Sequence, residues 1–380
     1  MNDAPVRLTS LDAFRGFTIA AMVLVNNPGD WGNLHAQLAH APWHGWTFTD
    51  TIFPFFLFIG GVAMALSLGR LAAAGADKPR LLLKLATRAA LIFLIGFLLN
   101  LIPRFDFESV RIPGVLQRIA LCTLLAAPLV VYLGWRGQAL AIFVLLALYS
   151  SLMLLVPVPG IGAGVLEPGR DFGAWVDRTL MDGHLWVQAR TWDPEGLVST
   201  LPALCSLLFG VLAGRLLLSK LARTEQAVWL LLAGLACLAL GSTLDAVLMP
   251  INKSLWTPSY CLWMSGWALI AFGASYWLLD AASSDVLRGR AARLSTPFVI
   301  YGMNALFIFA LSGLIAKMLG FIKLPQPDGS ELALGRLLYA PFAALPLEPR
   351  NTSLLYAIAF NACMFAIAWA MWRRRWFVKV

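Results

Sequence analysis

Long apolar runs recur along this chain from end to end, and that feature restricts its fold more than any motif does. Each run is about 20 residues, enough to cross the hydrocarbon core of a bilayer as a helix rising about 1.5 Å per residue. Backbone in hydrocarbon has to satisfy its own hydrogen bonds. The expected fold is therefore all-α, a polytopic helical membrane protein with about ten transmembrane helices. The expected spans are 10–27, 48–68, 82–102, 114–134, 138–157, 197–218, 226–249, 258–279, 297–318 and 351–372. Composition agrees: 59% of residues are hydrophobic, 13% are charged, and the mean hydropathy is +0.75. A soluble domain carries about 25% charged residues. No polar stretch is long enough for a separate soluble unit, so residues 1–380 are expected to form one membrane-embedded domain.

The net charge of +9 would suit nucleic acid if it were clustered, but the basic residues are dispersed through short loops. That pattern reads as topology, and no nucleic-acid partner is expected. Alternate loops fall on two sides. One side, which also holds both termini, carries 18 of the 29 basic residues, from Arg7 and Arg15 through Arg70, Lys78, Arg80, Lys84 and Arg88 to Arg373, Arg374, Arg375 and Lys379. The positive-inside rule then puts both termini in the cytoplasm and turns loops 28–47, 104–113, 158–196, 250–257 and 319–350 outward. The first run contains Asp12 and Arg15, ends in Asn26-Asn27 and has no small-residue cleavage site, so it is expected to remain as a span. The five cysteines (122, 205, 237, 261, 363) all fall inside expected spans without a CxxC pair, which reads as small hydrophobes. No internal repeat at a fixed period is visible.

Polar residues within or beside apolar spans are costly and usually mark a working site. Three of the four histidines, His35, His40 and His44, crowd into the loop before the second span, and Asp50 stands at the mouth of that span. Imidazole suits proton transfer and nucleophilic work near neutrality. An N-cap role is the plain alternative for Asp50. The His-x4-His-x3-His spacing lacks a carboxylate or cysteine pattern to complete a familiar zinc site, so no metal is expected. Asp12 and Arg15 share a face of the first span, as a self-neutralising pair or as part of a site. Asn26 lies eleven residues further on, about 16 Å along the axis. Gln117 and Arg118 sit inside the fourth span, where a guanidinium needs an anionic partner, either a protein carboxylate or a ligand phosphate. Asn252 and Lys253 open the loop before the eighth span, and Asn304 lies one to two turns into the ninth.

These residues form an ordered series: Arg7-Leu-Thr-Ser-Leu-Asp12-Ala-Phe-Arg15-Gly16, Val25-Asn26, then His40-Ala-x-Trp43-x-Gly45-x-Thr47-x-x-Asp50-x-x-Phe53-Pro54. Arg111-Ile-Pro-Gly-Val-Leu-Gln-Arg118, Asp193-Pro-Glu-Gly-Leu-x-Ser-Thr-Leu-Pro202 and Asn252-Lys-Ser-Leu-Trp-Thr-Pro-Ser-Tyr260 follow. The series resembles the heparan-α-glucosaminide N-acetyltransferase family, the lysosomal membrane enzyme and its bacterial NagX-type relatives. The resemblance implies a transmembrane acetyltransferase that moves acetyl from cytoplasmic acetyl-CoA to an amino sugar on the far side, without a metal. Its essential histidine maps to His40 and its active-site asparagine to Asn26, with Asp50 as a third catalytic candidate. Arg7, Asp12, Arg15, Gln117 and Arg118 are the candidates for holding the CoA co-substrate. Trp43, Arg111, Asn252, Lys253 and Asn304 are the candidates for the sugar. Trp43-His44-Gly45 departs from the lysosomal Trp-Asn-Gly, which favours a bacterial inner-membrane protein acting on a small sugar. Membrane lipid and a second copy of the chain are the other expected partners. The opening Arg7-x-x-x-Leu11-Asp12-x-x-Arg15-Gly16 also resembles the OafA-type polysaccharide O-acyltransferases, although Val25-Asn26-Asn27 stands where those have a histidine. A sugar transporter is the reading from a different class, since intramembrane Asp, Arg and Asn also suit a substrate path.

Overall fold

The computed structural model describes residues 8–326 and 329–378. Thirteen helices account for most of the described residues. They are α1 (Thr9–Val25), α2 (Phe48–Ala73), α3 (Lys78–Leu101), α4 (Val115–Tyr132), α5 (Trp135–Leu155), α6 (Phe172–Met181) and α7 (Thr200–Leu217). They continue with α8 (Arg223–Val247), α9 (Pro258–Ala281), α10 (Asp285–Met303), α11 (Ala305–Phe321), α12 (Leu334–Ala343) and α13 (Pro349–Arg373). A small antiparallel hairpin, β1 (Lys323–Pro325) and β2 (Glu331–Ala333), pairs Lys323 with Ala333 between α11 and α12.

Helix starts follow local chemistry. Thr257 accepts the Tyr260 N–H with Pro258 as the first helical residue of α9, and Asp77 does the same for Arg80 ahead of α3. Helices α2 and α7 are central: 67% of the most apolar stretch of each is buried, against 17% for α3 and 22% for α13, whose remaining surface is left for lipid. The main core joins α2, α4, α7 and α9 through Leu57, Cys122, Leu207, Val211 and Met264. The α2–α7 crossing is glycine-based. A methyl on Gly61 would lie 1.9 Å from the Leu207 carbonyl oxygen, and one on Gly210 1.9 Å from that of Phe58. Helices α1 and α10 meet the same way, with Gly16 against Phe298 and Gly302 against Asp12. Hydrocarbon offers no hydrophobic drive between helices, so close backbone approach is how such pairs gain contact.

The expected ten spans need two adjustments. Among the described residues, eight helices are long and apolar enough to cross a membrane, and α10 with α11 makes a ninth that is bent by 71°. The expected continuous span 297–318 is therefore broken, at Asn304. The first span, α1, has 17 residues, about 26 Å of helix, and is somewhat short for a hydrocarbon core of about 30 Å.

The bundle has two chemically distinct ends. At one, the start of α1, the ends of α2, α7 and α9 and the start of α8 converge around Asp12, Arg70, Arg223 and Tyr276. The Thr9 and Ser10 N–H groups donate there to the Asp280 carboxylate at 3.2 and 2.9 Å. At the other end, the loops before α2, α4, α7 and α9 interlock.

Candidate functional site

The interlocked end is organised by Asp50. Thr47 occupies the N-cap of α2 and Asp50 the third helical position, a reciprocal capping box. The plain N-cap reading of Asp50 is thus replaced by a double role. Oδ2 accepts the Thr47 N–H at 3.0 Å and the Ala41 N–H at 3.1 Å. Oδ1 is left to meet His40 Nδ1 at 2.6 Å. The carboxylate is fully buried while the imidazole is 48% exposed. A buried carboxylate accepts only, so Nδ1 carries the proton and Nε2 presents its lone pair outward. Thr47 Oγ1 donates to Ala39 O at 2.6 Å and fixes the loop on the other side of His40.

Pro54 adds a second constraint. Proline lacks an N–H, so the carbonyl four residues earlier, that of Asp50, loses its helical donor. The buried Tyr260 hydroxyl supplies one, at 2.6 Å. The loop before α9 is drawn in by the same region. Gly45 N–H donates to Ile251 O at 2.7 Å, with Gly45 in the left-handed region at φ +90. Asn252 is fully buried and its Oδ1 accepts the Leu255 N–H at 2.9 Å. Next to it, Lys253 Nζ lies 3.4 Å from Nε2 and 3.5 Å from Nδ1 of His40. His44 Nδ1 receives the Asn252 amide at 3.4 Å.

Beside this lies a charge cluster. Arg111 grips Asp193 with two bonds, Nε to Oδ2 at 2.8 Å and Nη2 to Oδ1 at 2.6 Å, and also reaches Glu195. Burial opposes the charge on Arg111, but these carboxylates outweigh it and raise its pKa. Burial likewise pushes the Glu195 carboxyl up, and the charges of Arg111, Lys253 and Arg118 prevail and hold it down. Arg118 is buried. It donates to the carbonyls of Pro194 and Gly196, both at 2.9 Å, and to Ser199 Oγ, with its guanidinium over the Trp256 ring at 5.3 Å. Two arginines thereby fix the 193–199 turn. Beneath it, Asp171, Asp177 and Asp193 line a cavity of about 20 Å³. Burial pushes the Asp177 carboxyl up to about 7, the neighbouring acids adding to the effect. Trp43, Trp186 and Trp192 pack edge-on as an aromatic wall, and Trp43 Nε1 donates to Leu166 O at 2.9 Å.

The opposite end has room. A cavity of about 510 Å³ is lined by Arg15, Arg88, Ser67 and Thr123, with Val378 at its edge. It reaches Phe56, six residues past Asp50, about 9 Å along α2. A neighbouring cavity of about 710 Å³ holds Asp12, Arg70 and Arg223. Arg15 Nη1 meets Asp12 Oδ1 at 3.4 Å.

The structure thus brings His40, Asp50, Trp43, Arg111, Asn252 and Lys253 to one end of the bundle. Four of the expected site residues make other contacts. Asn304 is one. Buried at the α10–α11 break, it holds the C-terminal segment, donating to Trp376 O at 3.0 Å and accepting the Val378 N–H at 2.9 Å. Gln117 and Arg118 do not line the Arg15 cavity. Gln117 is buried against Gly96 and Gly114, and the partners of Arg118 are protein carbonyls and a serine. Asn26 caps the end of α1 and is exposed, and among the described residues no hydrogen bond joins it to His40 or Asp50. Arg7 lies outside the described residues. Sequence reasoning left Thr47, Asp177, Glu195 and Tyr260 without roles. The Thr47-x-x-Asp50 box and the Asp50-to-Pro54 spacing signalled the first and last.

Comparisons with known proteins bear on the same residues. A family model described as "Heparan-alpha-glucosaminide N-acetyltransferase, catalytic" matches residues 7–229. The chain is similar to the heparan-alpha-glucosaminide N-acetyltransferase of Homo sapiens, with 31% identity over 359 aligned residues, 80% of this chain and 52% of that protein. It is also similar to that of Mus musculus, with 28% identity over 357 aligned residues, 80% of this chain and 53% of that protein. The chain spans about half the length of the curated relatives it matches.

Proposed function

The chain belongs to the heparan-alpha-glucosaminide N-acetyltransferase family, and from that premise we propose that it is an acetyl-CoA-dependent N-acetyltransferase acting on a small amino sugar. The supporting observation is the His40–Asp50 pair, a buried carboxylate fixing one ring nitrogen of a half-exposed imidazole while the other lies near Lys253. In this reading both termini are cytoplasmic, the basic end receives the nucleotide of CoA near Arg15 and Arg88, and the slim pantetheine arm threads the cavity toward His40. Charge-assisted bonds to phosphate suit guanidinium groups at that mouth.

Two routes share the same groups. In the stepwise one, the Nε2 lone pair attacks the thioester carbonyl, the C–S bond breaks, and CoA leaves as thiolate while Asp50 stabilises the acetyl-imidazolium. The sugar amine then takes the acetyl group, one of its ammonium protons going to the thiolate and one to solvent. In the direct route Nε2 removes an ammonium proton and the amine attacks the thioester itself. Both convert acetyl-CoA and R–NH₃⁺ into R–NHAc, CoA–SH and one proton.

The test is acetyl transfer from labelled acetyl-CoA to glucosamine by purified protein in detergent. Transfer that falls at least about a hundredfold in His40→Ala supports the reading, that being the lower end of what a positioned acid–base group supplies. Near-wild-type transfer in His40→Ala removes His40 from the chemistry. The 71° break at Asn304 resembles the discontinuous helices of transporters. Uptake of unmodified sugar into proteoliposomes, with no acetylation, would replace the enzymatic reading by that one.

A further inference from the structure

Transfer by either route puts negative charge on the acetyl carbonyl oxygen, and an enzyme gains most from a donor aimed at that atom. Asn26, to which the family resemblance maps an active-site asparagine, is exposed and makes no hydrogen bond to the His40 pair. Among the described residues, the polar side chains within hydrogen-bond distance of the His40 ring are Asp50 and Lys253. Asp50 is buried beneath the ring and cannot donate. An acetyl carbon bonded or bonding to Nε2 carries its oxygen about 2–2.5 Å from that nitrogen, given ordinary C–N and C=O lengths. An ammonium 3.4 Å from Nε2 comes within hydrogen-bond reach of such an oxygen when the acetyl group turns its oxygen to the ammonium's side. We propose that Lys253 is a catalytic residue, the cation that stabilises the carbonyl oxygen during acetyl transfer, and not simply a contact to the sugar. That role rests on the acetyltransferase activity proposed for the same site.

The loop is built to hold it there. Asn252, buried immediately before it, ties the turn through the Leu255 N–H and through Thr257 Oγ1, which accepts the Asn252 N–H at 3.1 Å. Gly45 joins that turn to the His40 loop through Ile251. The nearby carboxylates of Asp50 and Glu195 also favour the positive charge of Lys253.

The experiment compares Lys253→Met and Lys253→Arg with wild type and His40→Ala in detergent, measuring kcat and KM for acetyl transfer to glucosamine. Lys253→Met keeps the aliphatic stem and removes the charge. Its kcat should fall about a hundredfold or more, the usual loss for one donor at a developing oxyanion. The glucosamine KM should change less than about threefold, because the contact is made to the acetyl group. Lys253→Arg should recover at least about tenfold in kcat. A near-normal kcat with a glucosamine KM raised tenfold or more overturns the inference and makes Lys253 a sugar contact. Should Lys253→Met fail to fold, a Lys253→Arg variant with only its glucosamine KM altered overturns it in the same way. Full transfer in His40→Ala instead sinks the acetyltransferase site itself, so the two failures are distinguishable.

Discussion

At the scale of single residues, the site depends on backbone atoms as much as on side chains. Asp50 is positioned by Thr47 on one side and by Tyr260 on the other, and the Tyr260 bond exists because Pro54 leaves the Asp50 carbonyl without a helical donor. Tyr260→Phe should therefore cost about 1–3 kcal/mol, the penalty for a buried acceptor left unpaired. In a Pro54→Ala background the new N–H can take over that carbonyl, and the same substitution should cost clearly less. Thermal unfolding of the four proteins in detergent checks this, and equal losses in both backgrounds would mean that the tyrosine acts through packing. The pairing of His40 with Asp50 was legible because both lie at the junction of one short loop and one helix start. The placement of Asn26, Asn304 and Arg118 was not legible, since each is decided by partners 70 or more residues away or by the lack of one.

Among the elements, hydropathy located the spans because burial in lipid demands continuous apolar sequence. It could not locate the break at Asn304, where composition stays apolar and the cause is a pair of bonds to the C-terminal segment. Nor does hydropathy distinguish Gly60 from Gly61, which differ completely in the fold. Gly61→Ala should destabilise the protein by about 1–3 kcal/mol, because the methyl collides with the backbone of α7. Gly60→Ala meets nothing within 4 Å and should be neutral. Matched unfolding midpoints for the two variants would show that the crossing is looser than described.

The loop between α5 and α7 yields a pH prediction. Asp177 accepts the Leu197 N–H at 2.9 Å and lies against Gly196 in the turn that carries Glu195. Its carboxyl is raised from 3.8 to about 7 by burial, so folded protein retains a proton that unfolded protein has lost. The associated stability is fully present below about pH 4 and disappears as pH rises through about 7. Asp177→Asn, which can still accept from Leu197, should flatten the decline of the unfolding midpoint across that window. An unchanged slope would assign the pH dependence to other groups.

For the molecule as a whole, the question is how one protein serves two sides of a membrane. Its polar cluster and its basic cavities lie at opposite ends of the bundle, with α2 running between them. In the proposed topology the basic end faces the cytoplasm. In a variant without native cysteines, a cysteine at Ala74 should be labelled by an impermeant reagent only after permeabilisation. One at Ala163 should be labelled in intact cells, and the reverse pattern inverts the topology. Sidedness then governs which substituent affects which substrate. Arg15 lines the cavity proposed for CoA and pairs with Asp12, so its removal should act on the donor alone. Arg15→Ala should raise the acetyl-CoA KM about tenfold and leave the glucosamine KM unchanged. Arg15→Lys should recover only part of that loss if the guanidinium holds phosphate through two parallel bonds, which an ammonium cannot reproduce. Unchanged CoA affinity by calorimetry in Arg15→Ala would make the residue a structural partner of Asp12, and Arg88 on the facing wall of the same cavity would then be the cation to remove next.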